Sequence, residues 1–583
     1  MQRKLSQRAT EDTEHQFENL YNLLCNETWL RVAAHETLKN RGSGTAGIDG
    51  MTKSNFLGDF DGNINTLKER LKARIFEPVP VRRVYIPKPH SEKKRPLGIP
   101  TLLDRMVQEA LRMILEPIWE ADFSRHSYGF RPNRSTYDAI SYLGNRLTGK
   151  GGSYQWVIEG DIESYFDTIP HRRLIKAVKK RVADRNIRDL LWKFLRAGVM
   201  HQNEVHETMT GTPQGGIVSP LLANIYLDQL DKYMESKYLN FTDNQRRYRR
   251  KQGKGNFLYV RYADDFVVLC NGTKAEAHAT KEELQELLCT MGLTLSEDKT
   301  KITHITEGFK FLGYQIIRSI GGKGTMVPKV FIPKSAIKRY QHAVRRILAP
   351  NTTSESTVAK IQAMNQLTRG WCEYYRCTTS PSLIFNKLDK EVFDNMTHWL
   401  GRKYEIHISE VLTRYQRAFG MKSGLRTKTI TLISPSSYKA KKTIGKTWHN
   451  PYTAKEAIIR EKFIWYESLW SGYEDRPGAS DLREEMILHK GTVCALNLPD
   501  ICESKGKPLH PSEVEMDHII PRQKFKDPTE ADRMDNLQPA CTPCHRAKTK
   551  TDLKVLVRRE AQCRNANMPR VCRYPMNLWY SAS

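Results

Sequence analysis

The sequence predicts an α+β chain of several domains, and three observations carry that prediction. Short apolar runs end in carboxylates: Trp156–Ile162 carries Asp161 at its end, and Phe257–Val260 and Phe266–Leu269 flank Tyr262-Ala263-Asp264-Asp265. After about residue 335 the apolar residues recur with helical spacing, as in Ile361–Tyr375 and Phe385–Trp399. Six of the eleven cysteines fall in the last ninety residues. At 583 residues the chain is long enough for several separate cores.

In chain order, residues 1–75 read as helical, with a Gly-rich break at 41–50. Residues 79–100 are extended and basic, followed by a helix with Asp104 as its N-cap and apolar spacing through Met106, Val107, Leu111, Ile114 and Leu115. Trp156–Ile162 reads as a strand. Gly211-Thr-Pro-Gln-Gly-Gly-Ile-Val-Ser-Pro220 is a fixed loop that permits close backbone approach and leads into an apolar helix. Neighbouring strand residues point to opposite faces, so Asp264 and Asp265 converge only at a tight turn, and the run reads as a β-hairpin. Residues 420–452 are polar and Lys-rich and read as a linker or loosely packed basic segment. A helix-like stretch, Ala454–Trp470, precedes the Cys/His-rich terminus.

Lys plus Arg exceeds Asp plus Glu by 93 − 65 = 28. So large an excess points to a polyanionic partner, RNA or DNA, and to binding that weakens steeply with salt. No apolar run approaches the ~18–20 residues that cross a bilayer, and the basic N-terminus has no apolar segment behind it. The expected location is therefore cytoplasmic, with no membrane partner, and clustered cysteines in a reducing compartment suggest metal before disulfides.

Asp161 from one strand end and Asp264–Asp265 from a hairpin tip supply three carboxylates, which repel unless a divalent cation lies among them. A two-metal phosphoryl-transfer site needs such a set. One Mg²⁺ activates an attacking 3′-hydroxyl, and a second, about 3.5–4 Å away, binds the triphosphate and stabilises the leaving pyrophosphate. For an isolated Asp-Asp pair a solvated turn is the plainer reading; the third carboxylate and the Gly211 loop argue against it.

Gly160-Asp-Ile-Glu-Ser-Tyr-Phe-Asp167, then Thr212-Pro-Gln-Gly-Gly-Ile-Val-Ser-Pro-Leu-Leu-Ala-Asn224, then Tyr262-Ala-Asp-Asp265, resembles the block series of reverse transcriptases in its group II intron-encoded form. Supporting blocks stand in the same order at 40–50, 99–105, 127–132, 293–301 and 309–314. The resemblance implies a right-hand polymerase with fingers, a palm with an antiparallel sheet and a helical thumb. Asp161, Asp264 and Asp265 would be Mg²⁺ ligands, with the Ile162 carbonyl nearby. It also implies Lys88 and Arg95 on the incoming triphosphate, Phe166 under the sugar as the feature selecting deoxynucleotides, and Gln214 at the nascent base pair. Gln362–Arg376, with Arg369, Trp371, Tyr375 and Arg376, resembles the maturase (X) region that forms the thumb and binds folded RNA; a helix core with a solvated basic face is the plainer reading of most of these side chains.

Near the C-terminus Cys541-x-x-Cys544 has the spacing of half a tetrahedral thiolate site, whose other half is Cys494 and Cys502, with His489 or His510 as alternatives to Cys494. Cys563 and Cys572 have no evident partner. Asp517-His518, Asn536 and His545, in that order, resemble an HNH endonuclease with a small ββα-metal zinc module. Asp517 and His545 would hold one divalent ion, His518 would activate water as general base, and Asn536 would orient His518 or its loop.

The resulting expectation is a group II intron-encoded protein with four regions. These are fingers and palm at 1–317, maturase/thumb at 335–425, a basic DNA-binding region at 426–485 and an HNH endonuclease at 486–583. It would bind intron RNA, target DNA and dNTPs, assist splicing, cleave one target strand and copy RNA from the new 3′ end. Its cofactors would be two Mg²⁺, a divalent ion at the HNH site and a structural Zn²⁺.

Overall fold

The computed structural model describes residues 1–87, 94–148, 154–201, 204–206, 210–213, 215–322, 324–417, 424–441 and 450–453. Further along it describes 486, 490–499, 501–502, 505–506, 509, 514–520, 530–541, 543–545 and 547–548. The chain divides into two compact units, residues 1–26 with 44–453 and residues 27–43 with 454–583. The helix expected over Ala454–Trp470 lies outside the described residues.

The strands are β1 (Val81–Pro87), β2 (Lys94–Ile99), β3 (Trp156–Asp161), β4 (Val199–His201), β5 (Glu204–His206), β6 (Phe257–Tyr262) and β7 (Asp265–Cys270). They continue with β8 (Lys301–His304), β9 (Phe309–Phe311), β10 (Tyr314–Ile320), β11 (Met326–Phe331), β12 (Val514–His518) and β13 (Leu537–Cys541). The central sheet of the first unit has the order β6-β7-β3-β8 and is antiparallel throughout. One of its faces, with Val157, Leu258, Val260, Val267 and Leu269, packs on Ala139, Ile140, Leu143 and Leu147 of the helix Thr136–Leu147. The other carries the buried Ile158, Tyr259 and Val268, and the Tyr259 hydroxyl donates to Asp231 on the helix Ser219–Met234 at 2.8 Å. Burial of both faces is why these strands read as continuous apolar runs rather than alternating ones. A second sheet runs β2-β1-β4-β5 and a third β11-β10-β9.

The helix after the basic extended block spans Leu102–Asp122, and its cap is Thr101 rather than Asp104. The Thr101 hydroxyl accepts the Asp104 N–H at 3.1 Å and donates to the Asp104 carboxylate at 2.7 Å. Asp104 thus sits inside the first turn, where burial raises its carboxyl to about 6.

Beyond residue 333 four helices, Lys334–Ile347, Thr357–Tyr375, Pro381–Tyr404 and Ile408–Tyr415, close around a core that includes Ile361, Met364, Leu388, Val392, Met396 and Trp399. The segment read as a loosely packed linker is docked onto them over 424–441. Leu425 and Leu432 enter that core, Asn365 bonds both the Thr431 carbonyl and the Ile433 N–H, and Ser434 and Ser436 donate to Asp389. Two separated leucines and a few amide bonds anchor it, a pattern too sparse to register as hydrophobic periodicity. Among the described residues no helix is long and apolar enough to cross a membrane.

In the second unit β12 pairs antiparallel with β13, matching Asp517 to Gln538 and His518 to Leu537. Met486, Val514, Met534 and Leu537 form a small core beside them.

Candidate active sites and metal centre

The antiparallel register of β3 and β7 sets Asp161 directly opposite Asp265, and the β6–β7 turn places Asp264 next to them. Three carboxylates from positions a hundred residues apart thereby meet at one end of the central sheet. Burial, then Asp264 and Asp161, raises the Asp265 carboxyl to about 7, and Asp265 shares a hydrogen bond with Asp161. Burial, followed by repulsion from Asp161, also raises Asp264, while the charges of Lys299 and Arg95 act in the opposite direction. Lys299 bonds Asp161 Oδ2 at 2.8 Å, and that contact raises the Lys299 ammonium. So concentrated a set of carboxylates favours a cation among them, as Lys299 on Asp161 illustrates; hard divalent ions are the cations such oxygens accept best.

The tip that carries Asp264 is fixed from below. Ala263 takes a positive φ of 57°, a conformation costing a non-glycine residue on the order of 1 kcal/mol, and Arg261 donates to the Ala263 carbonyl at 2.9 Å. Arg261 also reaches Asn224 Oδ1 at 3.0 Å, and Asn224 donates to the Gly129 carbonyl at 2.8 Å. Gly129 lies so close to the turn that a Cβ there would come within 2.3 Å of the Ala263 nitrogen. Only glycine admits this approach.

In the second unit the sulfurs of Cys494, Cys502, Cys541 and Cys544 all lie within 4.8 Å of one another and all four residues are buried. The Cys541 and Cys502 sulfurs are 3.9 Å apart, close to the ~3.8 Å edge of a tetrahedron with 2.3 Å metal–sulfur bonds. Burial raises the Cys544 thiol to about 12, so a cation is what would let this quartet ionise. The donor set fits zinc. In the same unit, His518 Nε2 lies 2.9 Å from Asp532 Oδ1, and Asp517 accepts from Gln538 at 2.7 Å and Lys548 at 3.1 Å. His545 Nε2 is 3.8 Å from Asp517 Oδ1. Asn536 accepts the Ile520 N–H at 2.8 Å and donates to the carbonyls of Ile520 at 3.1 Å and Ala531 at 2.8 Å.

Three family models match the chain: reverse transcriptase (RNA-dependent DNA polymerase) over residues 86–316, the group II intron maturase-specific domain over 337–415, and HNH endonuclease over 500–551. The group II intron-encoded protein LtrA of Lactococcus lactis subsp. cremoris is 35% identical over 540 residues, covering 81% of this chain and 84% of LtrA. The chain belongs to the group II intron-encoded proteins. Protein YkfC of Escherichia coli (strain K12) is 40% identical over 365 residues, 60% of this chain and 96% of YkfC. The putative COX1/OXI3 intron 2 protein of Saccharomyces cerevisiae is 27% identical over 540 residues, 80% of this chain and 61% of that protein. This intron-encoded protein is therefore a reverse transcriptase and maturase with an HNH endonuclease in one chain.

Of the residues singled out in the sequence of this intron-encoded protein, Asp161, Asp264 and Asp265 come together, as do the four cysteines and the Asp517, His518, Asn536 and His545 group. Cys494 joins the quartet despite the seven residues between it and Cys502. Ile162 is buried behind Asp161, Phe166 is half-buried, and Arg95 is exposed on β2. Lys88, Gln214, His489, His510, Cys563 and Cys572 lie outside the described residues. Arg369 is exposed, and Arg376 pairs with Glu373 at 2.7 Å. Tyr375, expected on RNA, is buried with its hydroxyl on the Gly313 carbonyl, and Trp371 packs against Tyr340, Tyr375 and Phe385; Tyr375 belongs instead to the core it shares with Tyr314, Ile316 and Phe385. Ring orientation at His518 comes from Asp532, whereas Asn536 holds the following loop. Lys299, Asp532, Lys548 and the Arg261–Asp231–Asn224 set carried no expectation of their own. Their clearest signal is a lone arginine at 261 inside an otherwise apolar strand.

Proposed function

We propose that the three carboxylates of β3 and the β6–β7 turn are the polymerase centre of a right-handed fold, with palm and fingers within 1–317, a maturase thumb at 335–425, a basic DNA-binding region at 426–485 and the nuclease at 486–583. Asp161, Asp264 and Asp265, with the Ile162 carbonyl, would hold two Mg²⁺. When bound, these ions lower the charge barrier for attack of a primer 3′-hydroxyl and for departure of pyrophosphate. The protein's own side chains position the substrates: Lys88 and Arg95 on the triphosphate, Phe166 beneath the sugar, Gln214 at the new base pair. In the nuclease, Asp517 and His545 would hold a divalent ion that draws charge from the scissile phosphate. His518, its ring held by Asp532, removes a proton from water, and Asn536 fixes the loop behind it. The cysteine quartet would hold a structural Zn²⁺.

The programme proposed is intron mobility in the cytoplasm. Intron RNA is bound through basic side chains such as Arg369 and Arg376, one strand of target DNA is cut, and dNTPs are added to its 3′ end on the RNA template. The observation that supports this most strongly is the cross-strand pairing of Asp161 with Asp265, because a protein that only held RNA would gain nothing from clustered, mutually repelling carboxylates. Primer extension on poly(rA)/oligo(dT) tests it. The parent should extend and Asp264→Ala should fall to background; extension that survives the substitution overturns the assignment. A nicking assay on duplex target DNA with His518→Ala tests the nuclease half in the same way.

A further inference from the structure

Phe130 is 51% exposed, and its backbone has a φ of 58°, a region bulky residues rarely occupy. A large apolar ring held half in solvent on a strained backbone persists only where its surroundings over-determine it, and such outliers collect at functional sites. The surroundings here do so. Before Phe130, Tyr128 N–H bonds the Arg261 carbonyl at 2.9 Å and Asn224 holds the Gly129 carbonyl. After it, Arg131 is buried, bonded to Glu120 through two nitrogens at 2.9 and 2.7 Å and to the Ser127 carbonyl at 2.9 Å. The loop is thus clamped to the hairpin that carries Asp264 and Asp265, and Phe130 projects from it.

The ring meets Phe166 edge to face, with centroids 6.1 Å apart and planes at 82°. Phe166 is otherwise fixed through its backbone. Its carbonyl accepts the Thr212 N–H at 2.7 Å, and its neighbour Tyr165 is buried with its hydroxyl on the Ala223 carbonyl. Those contacts set where the Phe166 Cα sits, and among the described residues the rings that flank its side chain are Tyr165, at 5.7 Å, and Phe130.

We propose that Phe130 is a positioning residue for sugar selection: its ring braces Phe166, so that the pair, rather than Phe166 alone, sets the discrimination between deoxy- and ribonucleotides. This rests on the reading of Phe166 as the ring beneath the nucleotide sugar. Ring-to-ring bracing requires an aromatic at 130 but no polar group, so Tyr retains it while Leu and smaller residues lose it.

Single-nucleotide insertion on a primed RNA template, with dNTP and the matching rNTP, gives the ratio of the two kcat/KM values. Phe130→Ala should lower that ratio about three- to tenfold, mainly by improving rNTP use, with Phe130→Tyr near the parent. Phe166→Ala should lower it further, and the double variant should be no worse than Phe166→Ala, since a brace has no effect once the braced ring is gone. Phe130→Gly adopts the same φ without strain, so loss of discrimination in a variant that melts no lower than Phe130→Ala separates bracing from unfolding. A ratio unchanged in Phe130→Ala, with kcat/KM for both nucleotides falling together or KM for primer–template rising, overturns the proposal while leaving Phe166 in its role. A ratio unchanged in Phe166→Ala overturns both.

Discussion

Arg261 and Asp231 form a two-point ion pair from which solvent is wholly excluded, Nε to Oδ1 at 2.8 Å and Nη2 to Oδ2 at 2.5 Å. The same guanidinium holds the carbonyl of Ala263, one residue before Asp264. A buried pair is poor evidence of stability in itself, because desolvating two ions offsets their attraction, but removing one partner leaves a charge with nothing to balance it. Asp231→Ala should therefore destabilise the first unit by about 3–5 kcal/mol. Replacing both residues by Leu and Met should restore much of that stability without restoring primer extension, since the turn would still lack its support. Denaturant midpoints and extension rates on the three proteins measure the two effects separately.

Asp228 lies on the same helix as Asp231, and its Oδ1 has no hydrogen-bond partner among the described residues. Burial, reinforced by Asp231, raises its carboxyl from 3.8 to about 7. The folded protein therefore keeps a proton that the unfolded chain releases near pH 4. Stability from this group is complete below that pH, falls as pH rises from about 4 to 7, and stays low above 7. The shift corresponds to at most about 4 kcal/mol. Asp228→Asn should raise the melting temperature at pH 8 clearly, and much less at pH 4.5. A gain of equal size at both pH values would refute this account.

The sheet and the carboxylates were legible in the sequence because their causes are local. Unbroken apolar runs such as Phe266–Leu269 mark strands buried on both faces, and a polar turn between two of them marks a hairpin. What was not legible depends on contacts made across the fold. Nothing near Lys299 in the chain shows that it reaches Asp161, 138 residues away. Asp532 holds His518 only because a turn brings it beside β12, and Tyr375 looks like an exposed aromatic on a basic helix until the strand that begins at Tyr314 packs on it. The cap at Thr101 was missed for a simpler reason: Thr and Asp three apart both have capping chemistry, and in this helix they bond each other.

The cysteine quartet makes a prediction about metal content. The full-length protein should carry one zinc per chain, and Cys541→Ser should reduce it to a small fraction of that. Because the quartet belongs to a different compact unit from the three aspartates, DNA nicking should be lost while primer extension stays within about twofold of the parent. Elemental analysis together with both assays on the same preparations checks each part. Full zinc content in Cys541→Ser would sink the assignment.

Asn536 satisfies one donor and two acceptors in the segment after His518. Asn536→Ala leaves these groups without partners, at a cost of about 1–3 kcal/mol for each buried one. Nicking should fall roughly tenfold or more with zinc content unchanged. Asn536→Asp keeps the acceptor for the Ile520 N–H but loses both donations, so it should fall between parent and Ala. Equal nicking in all three proteins would show that the loop holds itself.

The pairing of Asp161 with Asp265 also limits how this protein can change in length. Side chains alternate from face to face along a strand, so inserting or deleting one residue within β3 or β7 would set Asp161 against Asp264 or Phe266 and turn the carboxylates to opposite sides. Length variation should therefore be absent from 156–161 and 265–270 and accumulate in connections that bear no register, such as the basic surface helix Asp243–Lys251 and the turn that follows it, where no residue of the helix is buried. Drift in chain length is tolerated at the surface and barred at the centre by a single row of backbone hydrogen bonds.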